Sequence, residues 1–149
     1  MLDVLLAYAH HLAVFGLVGL LFAEFVLVRP GLSGPRLMQV SGIDRAYGSF
    51  AVLVIVAGVL RVFFGAAGPG FYFTNPVFWT KIALFVLVGL LSLRPTFSVL
   101  SWRKAAMADE AYSVPDDEIR GVRRWIHIEL FVLALIPLAA AAMARGVGL

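Results

Sequence analysis

The chain has no cysteine among its 149 residues, and only 14% of them are charged. The first absence excludes disulfide frameworks, thiolate metal sites, cysteine nucleophiles, c-type haem attachment and S-acylation together. The second stands beside a hydrophobic fraction of 62% and a mean hydropathy of +0.96. Soluble domains are about 45–50% apolar and about 25% charged, so a water-soluble domain is excluded as well. The sequence also lacks an HExxH or GxSxG motif, which leaves proteolytic and hydrolytic chemistry without a foothold. Met-Leu-Asp at the start is not the basic n-region of a signal peptide, so the first apolar run is read as a mature helix.

What the chain does have is four apolar runs of membrane-spanning length, at about 4–28, 50–65, 77–93 and 125–144. At 1.5 Å per residue each suffices for one crossing. The expected fold is therefore all-α: a polytopic four-helix bundle forming a single transmembrane domain over 1–149. Breakers fall between the runs, at Arg29-Pro30-Gly31, in the stretch from Gly65 to Pro76, and at Arg94-Pro95. The polar segment 94–124 is still helix-compatible in its first part. Near its end Pro115-Asp116-Asp117-Glu118 reads as a helix start, with proline and acids where the helix dipole favours them.

Nine of the 12 Lys and Arg residues lie in two segments: Arg29, Arg36 and Arg45, then Arg94, Arg103, Lys104, Arg120, Arg123 and Arg124. The positive-inside rule places both segments in the cytoplasm and both termini on the periplasmic side. The net charge of +3 thus records topology and contact with anionic lipid, with no nucleic-acid partner required. Arg61 and Lys81 fall inside apolar runs, where no loop rule explains them.

Helical geometry at 100° per residue sorts the intramembrane polar groups. His10 and Glu24 lie within about 40° of each other and flank a stripe of Ala9, Ala13, Gly16, Leu20 and Ala23. Arg61 shares a face with Ala57 and Gly58, and Lys81 shares one with Phe85, Val88, Ser92 and Thr96. Depth then divides these groups into two layers about 15–20 Å apart. One holds His10, His11, Arg61 and Lys81. The other holds Glu24, Asp44, Arg45, Tyr47, His127 and Glu129, which read as a structural ion-pair network where helix ends meet the cytoplasm.

A histidine in a membrane bundle can ligate haem iron, carry a proton or bind a metal such as copper. His10 and His127 lie near opposite membrane faces, which excludes bis-His ligation within one chain. Haem held by His10 would keep an open position or take a second ligand from Lys81, Met143 or His11 of a neighbouring copy. Arg61 and Lys81 suit propionate carboxylates, although both are near enough to the membrane surface to snorkel instead.

The segment Phe71-Tyr72-Phe73-Thr74-Asn75-Pro76-Val77-Phe78-Trp79-Thr80-Lys81, with Leu91-Ser92-Leu93-Arg94-Pro95-Thr96, Trp102-Arg103 and Asp44-Arg45-Ala46-Tyr47-Gly48, resembles an uncharacterised family of four-helix bacterial inner-membrane proteins. More distantly, the first-helix His, the Arg of the second helix and Trp79-Thr80-Lys81 opening the third are similar to the membrane protoporphyrinogen oxidases and copper-resistance D proteins. That resemblance implies a haem b or porphyrin site using His10, Arg61 and Lys81. The sequence departs from that pattern at Glu24 and lacks a later His-rich stretch. Three expectations follow: a haem- or porphyrin-binding redox protein; an accessory or scaffold subunit of a larger membrane complex with no cofactor of its own; and a small-ion or metal permease, which four helices could form only as an oligomer.

Overall fold

The computed structural model of the chain describes residues 1–148; Leu149, the end of the domain expected over 1–149, lies outside them. Five helices follow one another: α1 (Leu2–Leu27), α2 (Gly34–Phe64), α3 (Gly68–Thr74), α4 (Pro76–Ala108) and α5 (Asp116–Ala144). Among the described residues there is no strand, only an isolated bridge between Ser33 and Ser113. The helices α1, α2, α4 and α5 are each long and apolar enough to cross a membrane.

Local chemistry sets the helix ends. α1 stops at Val28, whose N–H bonds to the Glu24 carbonyl, just before Pro30 and a left-handed Gly31. α2 opens with Gly34-Pro35, and proline suits a position where the helix needs no N–H donor. Asn75 starts α4: its side-chain oxygen accepts the Val77 N–H at 2.8 Å, and Pro76 follows. α5 carries Asp116, Asp117 and Glu118 in its first turn, at the positive end of its dipole.

Three of the expected boundaries move. The second helix, expected over 50–65, begins at Gly34, because the polar stretch before Phe50 turns Leu37, Val40, Ser41, Asp44 and Tyr47 to one buried face. The third passes through Pro95 without breaking and continues to Ala108, with Val88, Pro95, Val99 and Trp102 inside. The fourth starts at Asp116, at the helix start read from Pro115-Asp116-Asp117-Glu118 and ahead of the apolar run over 125–144. All three extensions carry a helical stripe on a polar background, which a hydropathy threshold does not register. The short α3, in the stretch read as a turn, buries none of its residues.

α1 packs chiefly on α2 and α4 chiefly on α5, and the two hairpins meet along the thinner α2–α4 and α1–α5 seams. Gly16 lets α1 and α2 approach closely: a methyl group there would strike the Phe50 ring. At the loop end, where the α1–α2 and α4–α5 connections lie, Val114 donates to the Leu32 carbonyl at 3.0 Å and fastens one connection to the other. Val28, Leu32, Leu37, Val40, Val99, Trp102, Val114, Ile119, Val122 and Ile126 form a closely packed apolar plug there. Toward the opposite end, beyond Ala13, Val54 and Val88, the described residues that are buried are Val62, Asn75 and Met143.

Candidate functional site

The polar layer at the loop end lies just inside the plug and draws one group from each long helix. Glu24 of α1 is 1% exposed, Asp44 of α2 is 5% exposed and Glu129 of α5 is fully buried. Tyr47 donates to Glu129 Oε1 at 2.6 Å, and Thr96 of α4 donates to Asp44 Oδ1 at 2.7 Å. Glu24 Oε1 and Glu129 Oε2 are buried with no hydrogen-bond partner, as is the Ser41 hydroxyl one turn from Asp44 on the same buried face.

This layer gathers Glu24, Asp44, Tyr47 and Glu129 and leaves out Arg45 and His127. Arg45 is exposed, because one residue along a helix is a 100° turn away from Asp44. His127 is exposed as well and tilts against the Phe25 ring at 5.8 Å. Two further arginines of this end have partners of their own. Arg94 lies over the Trp125 ring at 5.4 Å. Arg123 donates to the Phe25 and Val28 carbonyls at 2.7 and 2.6 Å and sits over the Phe25 ring. It thereby covers carbonyls at the end of α1 that the helix leaves without partners.

The second layer lies at the α3 end and is looser. His10 is half-buried and packs against Gly58 of α2, and its Nδ1 is enclosed without a bond. Arg61 is half-buried too, and its Nε is enclosed without a partner. His10 stands within electrostatic reach of Arg61, His11 and Lys81, so the structure brings the four expected residues of this layer together. Each holds a different position. The His11 ring is exposed and bonds through Nδ1 to the Ala7 carbonyl at 2.6 Å. Lys81 points over the Phe78 ring at 5.9 Å, within a cluster of Tyr72, Phe73, Phe78 and Trp79.

Asp3 carries a carboxylate at this same end, bonded to the Ala66 N–H at 3.0 Å, where it steadies the α2–α3 corner. Among the described residues, no group of three His, Asp or Glu stands close enough to hold a metal ion.

Sequence reasoning passed over Ser41, met Trp102 and Thr96 only in the family resemblance or on the Lys81 face, and met Arg123 only as a charge that sets topology. Ser41 is three residues before Asp44 and was legible from helical spacing. Trp102 lies on the stripe of Val88, Pro95 and Val99, and its indole N–H donates to Glu118 Oε2 at 2.6 Å. Arg123 had no local signal, because its partners lie at the end of α1, almost a hundred residues earlier.

Four apolar crossings with ionisable groups turned inward define a polytopic helical membrane protein. Residues 2–148 match the family described as Predicted membrane protein (DUF2214), and the chain belongs to that family. No curated protein and no solved structure matches it.

Proposed function

We propose that the α3 end of the bundle binds an iron porphyrin, haem b, and that the chain has a redox role in a bacterial inner membrane. The observation that carries this reading is the pair of enclosed, unpartnered nitrogens, His10 Nδ1 and Arg61 Nε, on adjacent helices. The donor set fits the group. An imidazole is a common ligand of haem iron, and guanidinium and ammonium groups suit propionate carboxylates. His10 would hold the iron, with Arg61 and Lys81 on the two carboxylates. The exposed His11 ring is free at Nε2 to face a neighbouring copy in a homo-oligomer. Bound haem would supply a one-electron couple. The chain's own residues orient it, Gly58 allowing α2 close to the His10 ring and the aromatic cluster around Phe78 keeping water away.

An absorption spectrum of the purified protein, recorded before and after haem is added, tests this. The expected result is a Soret band that His10→Ala removes. A clean preparation with no Soret band after supplementation overturns it. Co-purification with a larger complex, unaffected by His10→Ala, replaces it with the accessory-subunit reading.

The loop end is assigned to the cytoplasm and the termini to the periplasm. Of the nine basic residues that support this orientation, Arg29 lies in the α1–α2 connection and the other eight lie in the loop-end halves of α2, α4 and α5. Reporter fusions at Gly34 and Ala108 should read cytoplasmic and a fusion at Gly70 periplasmic; a periplasmic signal at Ala108 reverses the orientation.

A further inference from the structure

The carboxylate layer at the loop end takes no part in the haem reading, and its burial has no structural counterpart. Three acidic side chains from three helices converge at one level, within electrostatic reach of one another. From α1 comes Glu24; from α2 come Asp44, Tyr47 and Ser41; from α4 comes the neutral Thr96; from α5 comes Glu129. Arg45, Arg124 and His127 are exposed, Arg94 is stacked on Trp125, and Arg123 is committed to carbonyls of Phe25 and Val28. No cation enters the layer.

Apolar residues close it on both sides. The plug from Val28 to Ile126 lies toward the loops, and Leu17, Leu21, Val54, Val88 and Leu133 lie toward the α3 end. A carboxylate in such a place cannot stay ionised without a partner, and ionisable groups at membrane depth are functional by default. The hydrogen-bonding pattern leaves places for donors: Glu24 Oε1 and Glu129 Oε2 have none. Ser41, outside the acidic set, is 1% exposed with an unpartnered hydroxyl, one turn nearer the loops on the same buried face as Asp44.

We propose that Glu24, Asp44 and Glu129 form a proton-exchanging site, in which the ligand is the proton, shared among the three carboxyls where a cation would otherwise sit. In each exchange the O–H bond of one carboxyl breaks and the proton passes to water, with Ser41 the first hydroxyl on the way toward the loops. The absence of a three-ligand cage favours the proton over a metal ion here. The site is independent of haem, and its test is separate from the Soret measurement.

Infrared difference spectroscopy of the full chain in lipid, with the pH stepped upward from neutral, reads protonated carboxyl groups directly. The expected result is a carboxylic-acid C=O band at neutral pH that is lost on raising the pH and is weakened in Glu24→Gln and Glu129→Gln. The wild-type melting temperature should fall over the same rise in pH, since the native state then holds more protons than the unfolded one. Absence of the acid band from folded wild-type protein at neutral pH overturns the proposal. So does a band unchanged in both variants, or a melting temperature raised by Na⁺, K⁺, Mg²⁺ or Ca²⁺ at constant ionic strength. The wild-type spectrum and its ion titration decide the matter even where a variant fails to fold.

Discussion

At the loop end, three carboxylates from three helices lie under an apolar plug, and the neighbouring arginines turn outward or cover carbonyls. At the α3 end, two cations and two imidazoles lie between helices that cover them only in part. The same four helices thus bury one sign of charge completely and leave the other half accessible. A closed layer can be neutralised by protons, which need no space. A half-open layer of cations stays accessible from outside the bundle. The plug is what separates the two cases: apart from Val28 and Ile126, it is built from helix extensions and connections that lie beyond the long apolar runs.

The comparison is broken most forcefully at the plug itself. Trp102 is 1% exposed and bonds to Glu118, whereas Trp79 at the α3 end is 53% exposed although it too has a bonded indole N–H. Trp102→Ala should cost about 3–5 kcal/mol through lost burial and the cavity left behind. Trp79→Ala should cost less than about 1 kcal/mol, in the range of surface changes. Denaturant unfolding in detergent micelles measures both, and equal losses would mean that the two ends are packed alike.

The next largest effect concerns Lys81. If it pairs with a haem propionate, Lys81→Met weakens the bound state, and the protection that haem gives the wild type shrinks. That protection is about 2.7 kcal/mol at a hundredfold excess over the dissociation constant. If Lys81 only snorkels toward the surface, Met fills a similar volume without a charge, and the two proteins melt alike with and without haem. Melting temperatures of both proteins, each with and without haem, separate the outcomes.

Within the closed layer, Tyr47→Phe removes the donor to Glu129 Oε1 and leaves a fully buried carboxylate with neither oxygen bonded. A loss of about 1–3 kcal/mol is expected, the cost of an unsatisfied buried group. Thr96→Val makes the parallel change at Asp44, which is slightly less buried, and should cost less. A Tyr47→Phe protein as stable as the wild type would show that water reaches the layer.

Much of this arrangement was legible in the sequence because a helix converts spacing into direction. Four crossings followed from hydropathy, and the wheel placed His10, Glu24, Arg61 and Lys81 on inward faces. The loop-end layer was read too broadly. Arg45 and His127 are near Asp44 and Glu129 in the chain, and nearness along a helix was taken for nearness in the bundle. One step of 100° puts Arg45 outside, and two steps of 100° put His127 well away from Glu129. The plug was the least legible part. Leu32 and Val114 are isolated apolar residues in polar connections, and they are buried where one connection bonds to the other. Helix extension back to Gly34 escaped for a related reason: beyond the apolar run, a stripe of one residue in three or four is enough to bury a face.

The smallest expected effect lies at the α3 end, at Asn75. Its side chain does two things: Oδ1 accepts the Val77 N–H to begin α4, and Nδ2 donates to the Val147 carbonyl at 3.3 Å, tying the chain after α5 to the α3–α4 corner. Asn75→Ala removes both and should cost about 1 kcal/mol, the usual value of an N-cap. Asn75→Asp keeps the cap and loses only the donor, so its cost should be smaller and confined to the tie. Because few residues are buried at this end, the loss should remain local. Hydrogen exchange should quicken in α3, in the first turn of α4 and around Val147, while the amides of the plug around Ile119 and Ile126 keep their wild-type rates. Quickening of equal size at the plug would mean that the bundle opens as one unit, and the division into a closed end and an open end would then describe packing without describing stability.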